Sequence, residues 1–256
     1  MTQKKALLLD ITVCIGCNAC QAGCKAENKL PDNEEKYLSL TAYTALSEYN
    51  GKFVRRMCQH CEVPTCASVC PVGALEKTAA GPVTYDAGKC IGCRYCLQAC
   101  PFHVPRYEWK STKPRIQKCN FCVSRLTRGL QTACAEACPT GATKFGDRDA
   151  LLLEAQKRID GTPGKYVTRI YGQEDVGGTS MLYLSPVPFE QLGFDTHLGS
   201  TPMPLLTHQA MEKIPSVVTV GAVMLAGIWW ITNRRSEVQQ HEGPNHDATS
   251  TNRDAK

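Results

Sequence analysis

The chain contains no nucleophile–base pair, no Rossmann fingerprint and no molybdopterin signature, so any substrate chemistry must lie outside its 256 residues. It also lacks any RNA- or DNA-binding motif, so a formal net charge of +5 does not by itself indicate nucleic acid. The apolar run Ala6-Leu7-Leu8-Leu9 is too short for a signal h-region. No small-residue cleavage site follows it and no twin-arginine pair precedes it. It reads instead as a first strand leading into Cys14. Long hydrophobic runs are missing too, with one exception near the C-terminus.

What the chain has in excess is cysteine, sixteen in all. Disulfides, zinc sites and iron–sulfur clusters compete to explain them. Disulfide scaffolds are short secreted chains whose cysteines are not bunched in fours. Zinc sites draw two ligands from each of two short segments. Here four compact quartets all precede Pro139. The first is Cys14, Cys17, Cys20 and Cys24, spaced C-x2-C-x2-C-x3-C, and the third, Cys90, Cys93, Cys96 and Cys100, repeats that spacing. The second, Cys58, Cys61, Cys66 and Cys70, has one gap widened to four residues. The fourth, Cys119, Cys122, Cys134 and Cys138, has a long insert containing Arg125, Arg128 and Gly129. Three quartets end in Cys-Pro, at Pro71, Pro101 and Pro139. The pattern is an internal repeat of iron–sulfur ligands.

Four such clusters would add a charge of about −8, leaving the holo-protein near about −3. Lys25, Arg55, Arg56, Lys89, Arg94, Lys118 and Arg125 lie close to cysteines in sequence and are expected to offset that charge. In ferredoxin-type pairs the fourth cysteine of a quartet ligates the other cluster, and the proline after it fixes the turn. Quartets therefore work in crossed pairs. The spacing permits adjacent pairing, or a nested pairing of first with fourth and second with third.

Between the first two quartets, Tyr49-Asn50-Gly51-Lys52 predicts a type I′ hairpin. Asp149 to Ile159 reads as an amphipathic helix. Residues 161–213 are rich in Gly, Pro and Thr, and are expected to form an extended arm with little core of its own. Ile214 to Thr232 carries no charged side chain over nineteen residues, about 28 Å of helix, which suits a membrane span. Pro215 is expected in its first turn. Trp229 and Trp230 mark an interface, and Arg234 and Arg235, against the single Lys213, put the C-terminus inside. The cluster domain is then extracytoplasmic. Residues from Ser236 onward are polar and read as disordered.

The quartets, with the wide gap in the fourth, resemble the four-cluster iron–sulfur subunits of molybdopterin oxidoreductases. The C-terminal anchor and Glu174-Asp175-Val176-Gly177-Gly178-Thr179, followed by Met181-Leu182-Tyr183-Leu184, look like two branches. One is the beta subunit of respiratory formate dehydrogenase; the other is the iron–sulfur subunit of membrane-bound nickel–iron hydrogenase. The resemblance implies the nested wiring. Cys14, Cys17, Cys20 and Cys138 would hold one [4Fe–4S] cluster, and Cys24, Cys119, Cys122 and Cys134 a second. Cys58, Cys61, Cys66 and Cys100 would hold a third, and Cys70, Cys90, Cys93 and Cys96 a fourth. Some relatives put Trp at one cysteine position and carry a three-iron cluster; all sixteen cysteines are kept here.

The expected fold class is α+β: two ferredoxin-like 2[4Fe–4S] units with pseudo-two-fold symmetry in residues 1–148, a helix and arm over 149–213, a transmembrane helix over 214–232 and a polar cytoplasmic tail over 233–256. The implied role is non-catalytic. Electrons would pass between an extracytoplasmic catalytic subunit and a cytochrome b and quinone partner in the inner (cytoplasmic) membrane, with no nucleic acid involved. The lack of an export signal leans toward the formate dehydrogenase branch, crossing with a signal-bearing partner. A soluble ferredoxin-like carrier and a zinc-organised interaction module are the alternatives of another class. His60 is a candidate donor to a cluster sulfur, and His103 reads as structural. His208 is a candidate approach to a partner's haem or quinone. Tyr107 and Trp109 read as packing or a partner contact, and Ala222 and Ala226 as a small-xxx-small helix contact.

Overall fold

The computed structural model describes residues 3–241, and the chain divides into two compact units, Met1–Leu206 and Thr207–Lys256. The first strand, β1 (Lys5–Asp10), is buried along nearly its whole length. It becomes the centre of a three-stranded sheet and so presents apolar side chains on both faces. The chain leaves it for α1 (Ala19–Glu27), which carries Cys20 and Cys24. A hairpin follows, β2 (Thr44–Tyr49) and β3 (Lys52–Met57), paired from Tyr49↔Lys52 to Thr44↔Met57. Asn50 and Gly51 at its tip have φ of 50° and 71°, the two left-handed residues a type I′ turn needs.

Short elements then frame the middle quartets. Helix α2 (Thr65–Ser68) holds Cys66. Strands β4 (Leu75–Lys77) and β5 (Val83–Tyr85) pair as a small hairpin, and α3 (Tyr95–Gln98) holds Cys96. A second small hairpin, β6 (Arg106–Tyr107) with β7 (Ile116–Gln117), precedes α4 (Val123–Leu126) and α5 (Ala133–Glu136), which holds Cys134. Helix α1 packs on α5 and α2 on α3. First-quartet and fourth-quartet backbones are therefore neighbours, as are second and third.

Strand β8 (Thr143–Asp147) returns antiparallel to β1, and α6 (Arg148–Gly161) covers one face of the sheet. Leu151, Ala155 and Ile159 of α6 recur every four residues and pack on Ala6, Leu8, Leu182 and Leu184. Leu7 and Leu9, on the opposite face, join Phe121, Met181 and Tyr183 in the main core. The helix expected over Asp149 to Ile159 is present with slightly wider limits.

Residues after Gly161 differ from the arm with little core. Strand β9 (Met181–Leu184) pairs parallel to β1, all four residues buried, and Tyr171, Phe189, Leu192 and Phe194 cluster beside it. A four-residue strand buried on both faces has neither a helical nor an alternating period, so its apolar run gave no periodic signal.

The last helix, α7 (Met203–His241), has 39 residues and contains a stretch of mean hydropathy 1.9. It begins well before Ile214, so Pro215 lies inside it and not in its first turn. Pro204 occupies the start, where a missing N–H costs nothing. Ser236 to His241 are helical, in place of the expected disorder; the rest of the polar tail lies outside the described residues. At about 58 Å, α7 exceeds the hydrocarbon thickness of a bilayer.

Candidate functional site

The first Cys-x-x-Cys turn of each quartet is built the same way. Its third residue, Gly16, His60, Gly92 or Phe121, has φ of 75°, 48°, 71° or 58°. That left-handed residue reverses the chain between two cysteines. At Gly16 and Gly92 the space is closed as well: a Cβ would stand 2.6 Å from the Phe53 ring and 2.7 Å from Pro114 Cγ. His60 and Phe121 adopt the same turn with side chains, held by burial against each other at 5.0 Å between ring centroids.

The Cys-Pro ends use a different device. Proline contributes no N–H, and the residues after it turn their N–H groups to the sulfur. Burial works to raise the Cys70 pKa, yet N–H groups of Leu75, Val72, Ala74 and Gly73 hold it below the ordinary thiol value. The Ala74 N–H reaches Cys70 Sγ at 3.2 Å. Burial also opposes ionisation of Cys138, but the Thr143, Thr140 and Ala142 N–H groups and the Thr140 hydroxyl bring its pKa down. Cys100 receives Val104, Phe102 and His103 N–H groups, although burial keeps its pKa raised.

The thiols collect in fours. Cys14 is raised by burial and by the charges of Cys20, Cys138 and Cys17. Burial pushes Cys24 up to about 12, with Cys134 and Cys122 adding to it, and Cys119 is raised by burial with Cys24 and Cys134 beside it. Cys61 is raised by burial and then by Cys58, Cys100 and Cys66. Cys96 is pushed up to about 11 by burial, with Cys93, Cys90 and Cys70 around it. Some thiols also feel a neighbouring set: Cys20 feels Cys134, Cys24 feels Cys20, Cys119 feels Cys58, and Cys66 feels Cys96. The four sets form a row.

Thiols this buried and crowded would stay protonated unless a cationic core displaced their protons. An all-sulfur donor set suits iron–sulfur or zinc. Tetrahedral zinc needs sulfurs about 3.8 Å apart. Among the described residues no three Cys, His, Asp or Glu side chains are grouped so as to hold a single ion. Arg55 is buried beside Cys20 and Cys134, with the Cys20 sulfur as its hydrogen-bonding neighbour and, among the described residues, no oxygen or nitrogen acceptor for its side-chain nitrogens.

The basic residues expected near the clusters behave unequally. Arg55 faces Cys134 and Cys20, Lys118 lies near Cys66 and Arg125 near Cys122. Lys25 is turned away. Its Nζ donates to Asn33 Oδ1 at 2.8 Å and Glu35 Oε1 at 2.9 Å. Arg56 stacks over Phe194 at 4.2 Å, and Arg94 lies over the Tyr107 and Trp109 rings at 5.4 and 5.2 Å. Nearness in sequence does not select the face a side chain takes.

His60 accepts the Val83 N–H on Nδ1 at 2.9 Å, so its proton sits on Nε2, which is buried with no protein partner. Burial, then the charges of Lys118 and Lys77, hold its pKa well below the ordinary value. His103 is exposed and its carbonyl accepts from Arg106 Nη1 at 2.9 Å, a structural turn. His208, Ala222 and Ala226 are exposed on α7.

Residues that sequence reasoning did not assign brace the Cys58–Cys61 turn from β9. The Ser180 N–H and hydroxyl donate to the Gln59 and His60 carbonyls at 3.1 Å each, and the Gly178 carbonyl accepts the Glu62 N–H at 2.9 Å. The Gly-Gly pair was the available signal: Gly177 and Gly178 have φ of 84° and 90°.

A family model described as a 4Fe-4S dicluster domain matches residues 49–148. The chain is 39% identical over 254 residues to a protein of Nitratidesulfovibrio vulgaris, covering 92% of this chain and 69% of that one. It is 33% identical over 288 residues to the hydrogenase-2 operon protein HybA of Escherichia coli O157:H7, covering 93% and 86%. With the iron–sulfur subunit of the nitrate-inducible formate dehydrogenase of Escherichia coli K12 it shares 36% identity over 199 residues, covering 70% and 67%.

Proposed function

This chain belongs to the family of iron–sulfur electron-transfer subunits of formate dehydrogenases and hydrogenases, and we propose that it is the four-cluster wire between a catalytic subunit and the membrane. It carries [4Fe–4S] clusters. The proposed ligand sets are Cys14, Cys17, Cys20 and Cys138; Cys24, Cys119, Cys122 and Cys134; Cys58, Cys61, Cys66 and Cys100; and Cys70, Cys90, Cys93 and Cys96. One observation carries this assignment, the gathering of the thiols into those four neighbourhoods in a row. The packing of α1 on α5 and of α2 on α3 supports two ferredoxin-like halves related by pseudo-symmetry.

Each cluster, when bound, changes by one electron without a bond being made or broken. The protein's own part is to hold sulfurs apart, exclude water and set potentials. The Cys-Pro loops do the last with backbone N–H groups aimed at Cys70, Cys100 and Cys138. The chain itself has no catalytic role in this reading.

The donor is an extracytoplasmic catalytic subunit of the formate dehydrogenase type, and the acceptor a cytochrome b and quinone pool. Helix α7 spans the inner membrane once, with the cluster domain on the extracytoplasmic side; its length and hydropathy support the span. A nickel–iron hydrogenase donor is the second reading. It is favoured by an alignment that covers 93% of this chain for the hydrogenase-2 operon protein against 70% for the formate dehydrogenase subunit. Metal analysis of the native complex tests both levels. Four irons for each proposed cluster are expected, and zinc in their place overturns the wire; molybdenum or tungsten in the co-purifying subunit selects the first donor and nickel the second.

A further inference from the structure

Arg55 and Arg56 are consecutive in β3 and point to opposite faces, as strand geometry requires. Arg56 stacks on Phe194 and donates to the Leu192 carbonyl. Arg55 goes inward and is 4% exposed, and among the described residues none of its three nitrogens has an oxygen or nitrogen acceptor, the Cys20 sulfur being its hydrogen-bonding neighbour. Cys134, Cys20 and the Tyr183 hydroxyl surround the guanidinium.

Among the described residues no carboxylate balances this charge. Asp10 lines the same cavity, but its carboxylate is taken by Arg158 at 2.9 Å, Tyr166 at 2.9 Å and Thr12 at 2.6 Å. The Tyr183 hydroxyl donates to the Arg55 carbonyl at 3.1 Å and accepts from Gln59 Nε2 at 3.2 Å. Lys118, another buried cation near cysteines, has oxygen partners instead: the Val83 carbonyl at 2.5 Å and that of Cys119 at 3.1 Å. A buried guanidinium without an anion is among the costliest arrangements a fold can contain. The anions that can satisfy Arg55 are sulfur-borne, and Cys20 and Cys134 belong to different ligand sets.

We propose that Arg55 is the shared counter-cation of the two clusters held through Cys20 and Cys134, and that it raises the reduction potential of both. The inference rests on the ligand sets proposed above. Reduction adds one negative charge to a cluster, with no proton required. A fixed positive charge in a dry site stabilises that reduced form. The planar fork, with five donors, can address two neighbours at once where a lysine addresses one point. The other two clusters lie further along the row and do not share this cation.

The test uses the complex purified from membranes, with Arg55→Gln and Arg55→Lys variants. Iron and acid-labile sulfide are counted first, and each cluster is then titrated by low-temperature paramagnetic resonance at controlled potential. In R55Q with full iron, the reduction equilibrium constant of two clusters is expected to fall at least tenfold, a drop of 59 mV each for a one-electron couple. The other two should move by less than a third of that. R55Q with full iron and four wild-type potentials overturns the proposal, because a purely structural arginine would leave potentials alone. Should R55Q lose iron, R55K decides: a full complement in R55K upholds the counter-cation, and an equal loss overturns it. A wild-type complex lacking four clusters' worth of iron fails the wire itself, whatever Arg55 does.

Discussion

Gly23 of α1 sits against Ala137, immediately after α5. A Cβ on Gly23 would stand 2.9 Å from Ala137 Cβ and 3.1 Å from the Ala133 carbonyl oxygen. The first and fourth quartets, 95 residues apart in sequence between Cys24 and Cys119, meet at this point. Backbone approach that close leaves room for hydrogen only. Gly23→Ala is therefore expected to push α1 off α5 at a cost of about 1–3 kcal/mol, the usual range for overpacking. Thermal unfolding and iron content of the purified complex measure it. An unchanged melting midpoint with full iron would show that the two helices yield freely.

Cys93 belongs to the proposed set at one end of the row, with Cys90, Cys96 and Cys70. Cys93→Ser should damage that cluster and cut electron flow to quinone, while the catalytic subunit still reduces an artificial dye. Quinone-linked turnover equal to wild type would take that cluster off the path.

The buried ammonium of Lys25 depends on Glu35 at 2.9 Å, with side-chain exposures of 3% and 18%. Burial works to raise the Glu35 pKa, but hydrogen bonds from Ser39, Lys25 and Thr41 bring it below the ordinary carboxylate value. Removing the carboxylate leaves that buried ammonium with only the neutral Asn33 acceptors, so Glu35→Ala should destabilise the fold by about 3 kcal/mol. Chemical denaturation of the variant checks this, and the double variant with Lys25→Met is expected to recover part of the loss. If E35A unfolds at the wild-type denaturant concentration, the pair contributes nothing.

Deletion from Ile214 onward removes most of the apolar part of α7 and should release the complex from the membrane on fractionation. A truncated complex sedimenting wholly with membranes would mean that partner subunits anchor it unaided.

The cysteine repeat, the hairpin at Asn50-Gly51 and the apolar helix were legible in the residues because each is a local signal. Cysteine spacing, left-handed turn residues and uncharged length act over a few positions of chain. Other features depend on neighbours distant in sequence. Met181–Leu184 becomes a core strand only because β1 offers it a free edge, and Ser180 braces the Cys58–Cys61 turn only from that position.

The amino-acid order by itself determined that four quartets of thiolates would be presented in turns and followed by a span-length helix. Tertiary packing alone decided which quartets lie side by side, and which of seven nearby cations face the cysteines. Which quartets are neighbours follows from where helices can approach, at Gly23 and Ala137, and charge placement from which strand face Arg55 occupies. Both are contacts between remote segments, on which the local chain has no preference.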